Sequence, residues 1–382
     1  MSVTAAGGFR AAGVPACLKS SGAPDVALVV NDGPGMAAAG VVTANRVKAA
    51  PVLWTEQVLR SRALRAVVLN SGGANACTGP EGFLDTHRTA EHVAGRLGVA
   101  TAEVAVCSTG LIGERLPMDR LLRGVDAACA ALGVDGAAAA EAIMTTDTRP
   151  KEAAVRADGW SVGGMAKGAG MLAPGLATML ALLTTDAVVD AATLDDVLRS
   201  ATRTTFDRVD SDGCMSTNDT VLLLASGASG ARPSADAFGE TVHRACADLA
   251  AALVADAEGA SHEIAVDVVG AACEDDAVEV ARAVARSNLV KCAVFGQDPN
   301  WGRILAAVGT TRAAFDPLRL DVTINGVAVC RDSGVGDPRA LVDMSGRQVR
   351  IVVDLRSGGQ DATVWTNDLT HDYVHENSAY ST

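Results

Sequence analysis

The chain has 382 residues, 49% apolar and 20% charged, a balance that supplies a large buried core and excludes a disordered chain. With 32 basic against 45 acidic side chains the formal charge is −13, which argues against a nucleic-acid binder because phosphate contact needs a basic surface. Aromatics are only 3%, so Ala, Val and Leu must fill the interior, and an anionic substrate would need a local cation set against the overall field.

In chain order, short β-branched runs bounded by Gly, Asn or Asp predict strands over 26–30 and 66–69. Apolar residues at three- and four-residue spacing predict a helix over 85–97. A strand at 104–106, helices at 118–132 and 192–202, a strand at 220–224 and a helix at 238–258 follow. Beyond them come a strand at 264–269, a helix at 276–288, and strands at 320–324 and 349–355. Asn325-Gly326, between 322–324 and 327–329, suits the type I′ turn of a hairpin. The order is not a strict strand–helix alternation, so a layered α+β architecture is expected rather than a doubly wound sheet. The strand-rich tail after about residue 290 reads as a smaller lobe.

The first eight residues carry no basic segment followed by an apolar run, so no signal peptide is expected. The most apolar stretch, 171–189, contains Pro174, Gly175 and Asp186 and reads as core rather than as a membrane span. The nine cysteines form no CxxC pair and suit reduced thiols in the cytoplasm.

Three familiar patterns are weak. Gly168-Ala169-Gly170-Met171-Leu172-Ala173 matches a dinucleotide loop, but Pro174-Gly175 interrupts the helix that such a loop must open. His371 and His375 have metal-ligand spacing, yet Asp372-Tyr373-Val374 reads as an extended tail, in which four residues span about 13 Å, and no metal is expected. Asp210-Ser211-Asp212-Gly213 lacks the acidic closing residue of a calcium loop and reads as a turn.

The block from Gly163 to Leu180 sets Lys167 among glycines and ends at Ala177-Thr178. It permits two readings. Thr178 could cap a core helix after a Gly-rich turn. Alternatively it could be a nucleophile, activated by its own α-amine once the Ala177–Thr178 bond is cut. An α-amine titrates near 7.7–8.0, so a useful fraction is neutral at physiological pH.

Over essentially its whole length the sequence resembles the ornithine acetyltransferase family of arginine biosynthesis, the glutamate N-acetyltransferase (ArgJ) proteins. The matching segments include Gly8-Phe9-Arg10-Ala11-Ala12-Gly13, Asn70-Ser71-Gly72-Gly73-Ala74-Asn75, Ser108-Thr109-Gly110 and Met144-Thr145-Thr146-Asp147-Thr148. The Lys167–Leu180 block, Ser216-Thr217-Asn218-Asp219, Glu258-Gly259-Ala260, Asp298-Pro299-Asn300-Trp301-Gly302-Arg303 and the closing Asn377-Ser378-Ala379-Tyr380-Ser381-Thr382 continue the match. Gly73 stands where Asn is expected and Glu376 where an apolar residue is expected; neither removes a proposed catalytic group.

The resemblance implies an αββα sandwich of the N-terminal-nucleophile type with a smaller C-terminal lobe. It also implies self-cleavage between Ala177 and Thr178 into chains 1–177 and 178–382, assembled as an (αβ)₂ heterotetramer. Thr178 would be the nucleophile, with Thr109 and Gly110 as the oxyanion hole. Thr145 (with Thr146 as the alternative), Lys167, Thr178, Glu258, Asn377 and Thr382 would bind substrate. The implied reaction moves acetyl from N²-acetyl-L-ornithine to L-glutamate, with acetyl-CoA a further candidate donor and no metal or organic cofactor. Outside the resemblance, Lys167 could be a solvated loop lysine, Thr109-Gly110 a strand-ending turn and Glu258 an ordinary helix-ending residue. Two other functions also stay open: an autoprocessing aminopeptidase or amidase, and a non-catalytic module that binds an acetylated amino acid.

Overall fold

The computed structural model describes residues 2–172 and 179–379. They form two compact units, one within 2–207 and 214–256, the other within 208–213 and 257–379.

The first unit holds two sheets. One runs Phe9–Val14, Val26–Asn31, Ala66–Asn70, Val104–Ser108. The other runs Ala37–Val42, Thr220–Ala225, Leu180–Thr185, Trp160–Lys167, Lys151–Ala157. Each sheet contains one parallel pair, and each such pair is joined by a crossover helix, as parallel strands require. Gly79–Leu97 joins the first pair and Ala191–Thr204 the second. Gly79–Leu97 and Met118–Ala131 pack on the first sheet, and Ala191–Thr204 and Ala235–Ala255 on the second. The sheets share one apolar core, in which Leu28, Leu69 and Val106 of one meet Met165, Leu182 and Leu222 of the other. The result is the αββα layering expected of the family. The helices start where their caps allow: Asp190 accepts hydrogen bonds from the Ala192 and Thr193 N–H groups, and Ser234 from Ala237.

The second unit is a six-stranded sheet covered by Glu274–Ala285, Asn288–Phe295 and Trp301–Val308. It begins at Ala257 rather than near residue 290. The reason is that Glu263–Ala271 lies inside its sheet, parallel to Gln348–Asp354 and antiparallel to Gln360–Asn367. The Asn-Gly hairpin forms as expected: Asn325 and Gly326 have φ of 46° and 85°, the two positive values of a type I′ turn.

Two local expectations are corrected. Leu180–Thr185 is a buried strand, so no core helix follows Thr178 and its reading as a helix cap falls. The tail is helical over His371–Ala379, not extended. The Thr370 hydroxyl accepts the Tyr373 N–H at 3.0 Å, and the His371 ring packs edge-on against Phe295. His371 and His375 therefore sit one turn apart, yet no group of three metal-capable side chains occurs among the described residues. All nine cysteines are free thiols. Among the described residues no helix is long and apolar enough to cross a membrane.

Candidate active site

Thr109 and Gly110 follow the end of the strand Val104–Ser108. The Thr109 N–H is committed to the Asn70 carbonyl at 2.9 Å, and its own carbonyl accepts the Gly73 N–H at 3.0 Å. What Thr109 can offer a reacting group is therefore its hydroxyl. Lys167 donates to that hydroxyl oxygen at 3.2 Å, which leaves the hydroxyl proton to point elsewhere. Gly110 has φ +125°, and a Cβ there would lie 2.9 Å from the Gly73 nitrogen, so only glycine fits. Thr109 and Gly110 are thus a strand-ending turn that sets a hydroxyl beside a buried ammonium.

Lys167 closes the buried strand Trp160–Lys167 and is 1% exposed, which excludes a solvated loop lysine. An array of buried charge lies beside it. The Asp147 carboxylate takes the Lys151 ammonium at 2.6 Å and the Gly168 N–H at 2.7 Å on one oxygen, and the Thr145 N–H at 2.9 Å on the other. Lys151 also reaches Asp256 at 2.6 Å. Burial pulls the Asp147 carboxyl up, but Lys167, Lys151 and the Gly168 N–H outweigh it and hold it below its ordinary range. Lys19 donates to the Met144 carbonyl at 2.7 Å; burial lowers its amine, with the like charge of Lys167 adding to that against Asp25 and Asp147.

Met179, the residue after the proposed nucleophile, is held at both backbone groups. Its N–H donates to Asp219 at 3.1 Å and its carbonyl accepts the Thr220 N–H at 3.1 Å. Burial pushes the Asp219 carboxyl well above the usual range. Ala177, Thr178 and Thr382 lie outside the described residues.

In the second unit, Asn377 donates to the Glu258 carboxylate at 2.9 Å. Glu258 does not end a helix, because Ala235–Ala255 has already stopped; it sits in the turn before Gly259. It lines a cavity of about 220 Å³ together with Ser211, Asp212, Lys291 and Tyr373. Burial pushes the Glu376 carboxyl up, and the neighbouring Glu258 and Asp372 push it further. The segment Arg208–Gly213 is pinned to this unit by buried charges. Asp210 accepts from Arg286 at 2.7 Å, and Lys291, its amine lowered by burial to about 8, donates to the Ser211 carbonyl at 2.6 Å.

A pH prediction follows from Asp210, whose carboxyl burial raises to about 6. A folded-state pKa above the unfolded one stabilises below the unfolded value, and that stability is lost as pH rises through 6. Relative to Asp210→Asn, the wild type should gain about 2–3 kcal/mol in thermal stability as pH falls from 7 toward 4. Parallel melting curves for the two proteins across that window would refute it.

Sequence reasoning assigned no role to Asp147, Lys151, Asp219 or Asp256. One signal was available: Lys151 alternates with Ala153 and Val155 on the buried face of its strand, and a buried ammonium demands a carboxylate.

The ArgJ family profile matches residues 10–382. The "Arginine biosynthesis bifunctional protein ArgJ" of Streptomyces coelicolor is 66% identical over the full length of both chains. The chain belongs to the ArgJ family. It is an acetyltransferase of arginine biosynthesis. The ArgJ protein of Mycobacterium leprae is 62% identical over 99% of this chain and 95% of its own. Among solved structures, the ornithine acetyltransferase of Mycobacterium tuberculosis, complexed with ornithine, is 60% identical with a TM-score of 0.45. That similarity covers 47% of this chain and 96% of the solved one. The ArgJ protein of Bacillus halodurans is 34% identical with a TM-score of 0.48, over 52% and 97% of the two chains.

Proposed function

We propose that this ArgJ-family chain transfers acetyl from N²-acetyl-L-ornithine to L-glutamate by a ping-pong route through an acetyl ester on Thr178, with acetyl-CoA as a second donor. The chain first cuts itself between Ala177 and Thr178, giving chains 1–177 and 178–382 that assemble as (αβ)₂ in the cytoplasm. The freed α-amine of Thr178 then takes the proton of the Thr178 hydroxyl as that oxygen attacks the acetyl carbonyl. The Thr109 hydroxyl and the Gly110 N–H meet the developing oxyanion. Ornithine leaves, and the amine of glutamate collects the acetyl group. Lys167 and Thr145 hold the acetylated amino acid, with Glu258, Asn377 and Thr382 as further contacts.

The observation that carries this reading is the buried Lys167 ammonium bonded to the Thr109 hydroxyl, beside a glycine that no other residue can replace. It joins a cation fit for a substrate carboxylate to a donor fit for an oxyanion. The test is intact mass followed by an acetyl-transfer assay with each donor. Full-length active protein would overturn the terminal-amine base, and acetate in place of acetylglutamate would make the chain a hydrolase.

Lys167→Ala should raise KM for acetylornithine roughly 10- to 150-fold, the range of one charge-assisted hydrogen bond of about 1.5–3 kcal/mol. An unchanged KM would remove Lys167 from the substrate.

A further inference from the structure

We propose that Asp147 is a positioning residue for acetyl transfer, fastening the Thr145 and Lys167 sides of the substrate site to each other, with Lys151 as its buried counter-ion and Asp256 as the second carboxylate on that ammonium. This rests on the function proposed above.

Three features carry it. The two oxygens of one carboxylate hold N–H groups 23 residues apart in sequence: Thr145 on one side and Gly168, the neighbour of Lys167, on the other. A shift of either segment would therefore move the other. Second, the contact ion pair of Asp147 is Lys151, while Lys167 donates to Thr109. A carboxylate close to a substrate-binding ammonium would ordinarily compete with the substrate's own carboxylate. Lys151, shared with Asp256, offsets part of that charge in a site where the Asp147 and Lys151 side chains are fully buried, so little solvent screening weakens the pair. Third, Asp256 closes the array from the far side, where it holds Lys151 together with the Thr148 N–H and hydroxyl. A buried Lys151 paired with Asp147 alone would leave donors unused; Asp256 supplies the second acceptor.

The geometry also explains why a conservative change is not neutral. In Asp147→Asn, the amide oxygen can keep Lys151 and Gly168, but its NH₂ then faces the Thr145 N–H, donor against donor. In Lys151→Met, Asp147 keeps its backbone contacts and loses its contact ammonium, which leaves Lys167 to carry more of its charge.

The experiment measures transfer from N²-acetyl-L-ornithine to L-glutamate by the wild type, Asp147→Asn, Lys151→Met and Asp190→Ala, with intact mass and melting temperature for each. Asp190→Ala removes the cap of the helix Ala191–Thr204 and so lowers stability without touching the array. The expected result is a KM for acetylornithine raised roughly 10-fold or more in Asp147→Asn and Lys151→Met, kcat changed by less than about threefold, and an unchanged KM in Asp190→Ala. A wild type that transfers no acetyl overturns the proposed function itself. An active wild type with an unchanged KM in either folded variant overturns the positioning role alone. So does a KM rise in Asp190→Ala that tracks its loss of melting temperature as in the other two, because the array would then only hold the fold. If Asp147→Asn does not fold, Lys151→Met decides by the same criterion; if neither folds, the array is a stability element and the positioning role is overturned.

Discussion

Thr178→Ala should remain a single uncut chain and transfer no acetyl, whereas Thr178→Ser should keep a fraction of both reactions. Each reaction needs a hydroxyl on that β-carbon, first against the Ala177 carbonyl and then against the acetyl carbonyl. Serine supplies the oxygen but lacks the methyl group that restricts the side-chain rotamer, so fewer molecules sit in the attacking geometry. Alanine leaves only bound substrate and an oxyanion site with nothing to stabilise. Helix capping offers no rival account of a loss, since Leu180–Thr185 is a strand and no helix begins after Thr178. The downstream backbone should also survive the change, because Met179 is held at both backbone groups by Asp219 and Thr220. Intact mass, melting temperature and acetylglutamate formation decide the matter. A folded Thr178→Ala protein that still turns over substrate would end the nucleophile assignment.

Gly110→Ala should cost about 10²–10³ in kcat, the effect of displacing one preset oxyanion donor. The added Cβ would lie 2.9 Å from the Gly73 nitrogen and 3.0 Å from its Cα, and φ at this position is +125°, a region closed to alanine without strain. The obstacle is backbone, not the end of a flexible side chain, so it cannot simply swing aside. Either Gly110 rotates and its N–H turns away, or Gly73 moves and releases the Thr109 carbonyl it holds. Both would disturb the proposed oxyanion pair. Gly73 gives this contact no side chain of its own to adjust. A companion variant, Thr109→Val, keeps the volume and removes the hydroxyl; it should slow kcat while leaving the Gly110 turn intact. Wild-type kcat in a folded Gly110→Ala protein would show that the turn is architectural and nothing more.

The sequence by itself determined many of the elements and the family of the chain. The strands around Leu28, Val68, Val106 and Leu222, the helices read over 85–97 and 192–202, and the Asn325-Gly326 hairpin were all legible. Each rests on periodicity, caps or turn chemistry within a few residues, information that a single chain carries locally. Membership of the ArgJ family was legible for a different reason: ordered motifs span nearly the whole chain. Tertiary structure decided what depends on partners distant in sequence. The tail reads as extended by composition, yet is helical because Thr370 caps it and Phe295 packs on His371. Arg208–Gly213 joins the second unit because Arg286 and Lys291 hold it there. Lys151 and Asp256 meet across 105 residues, and Lys167 and Thr109 across 58. No local pattern specifies such pairs. They arise only when strand register fixes which side chains face one buried space, and the cost of an unpaired charge there then selects the partner.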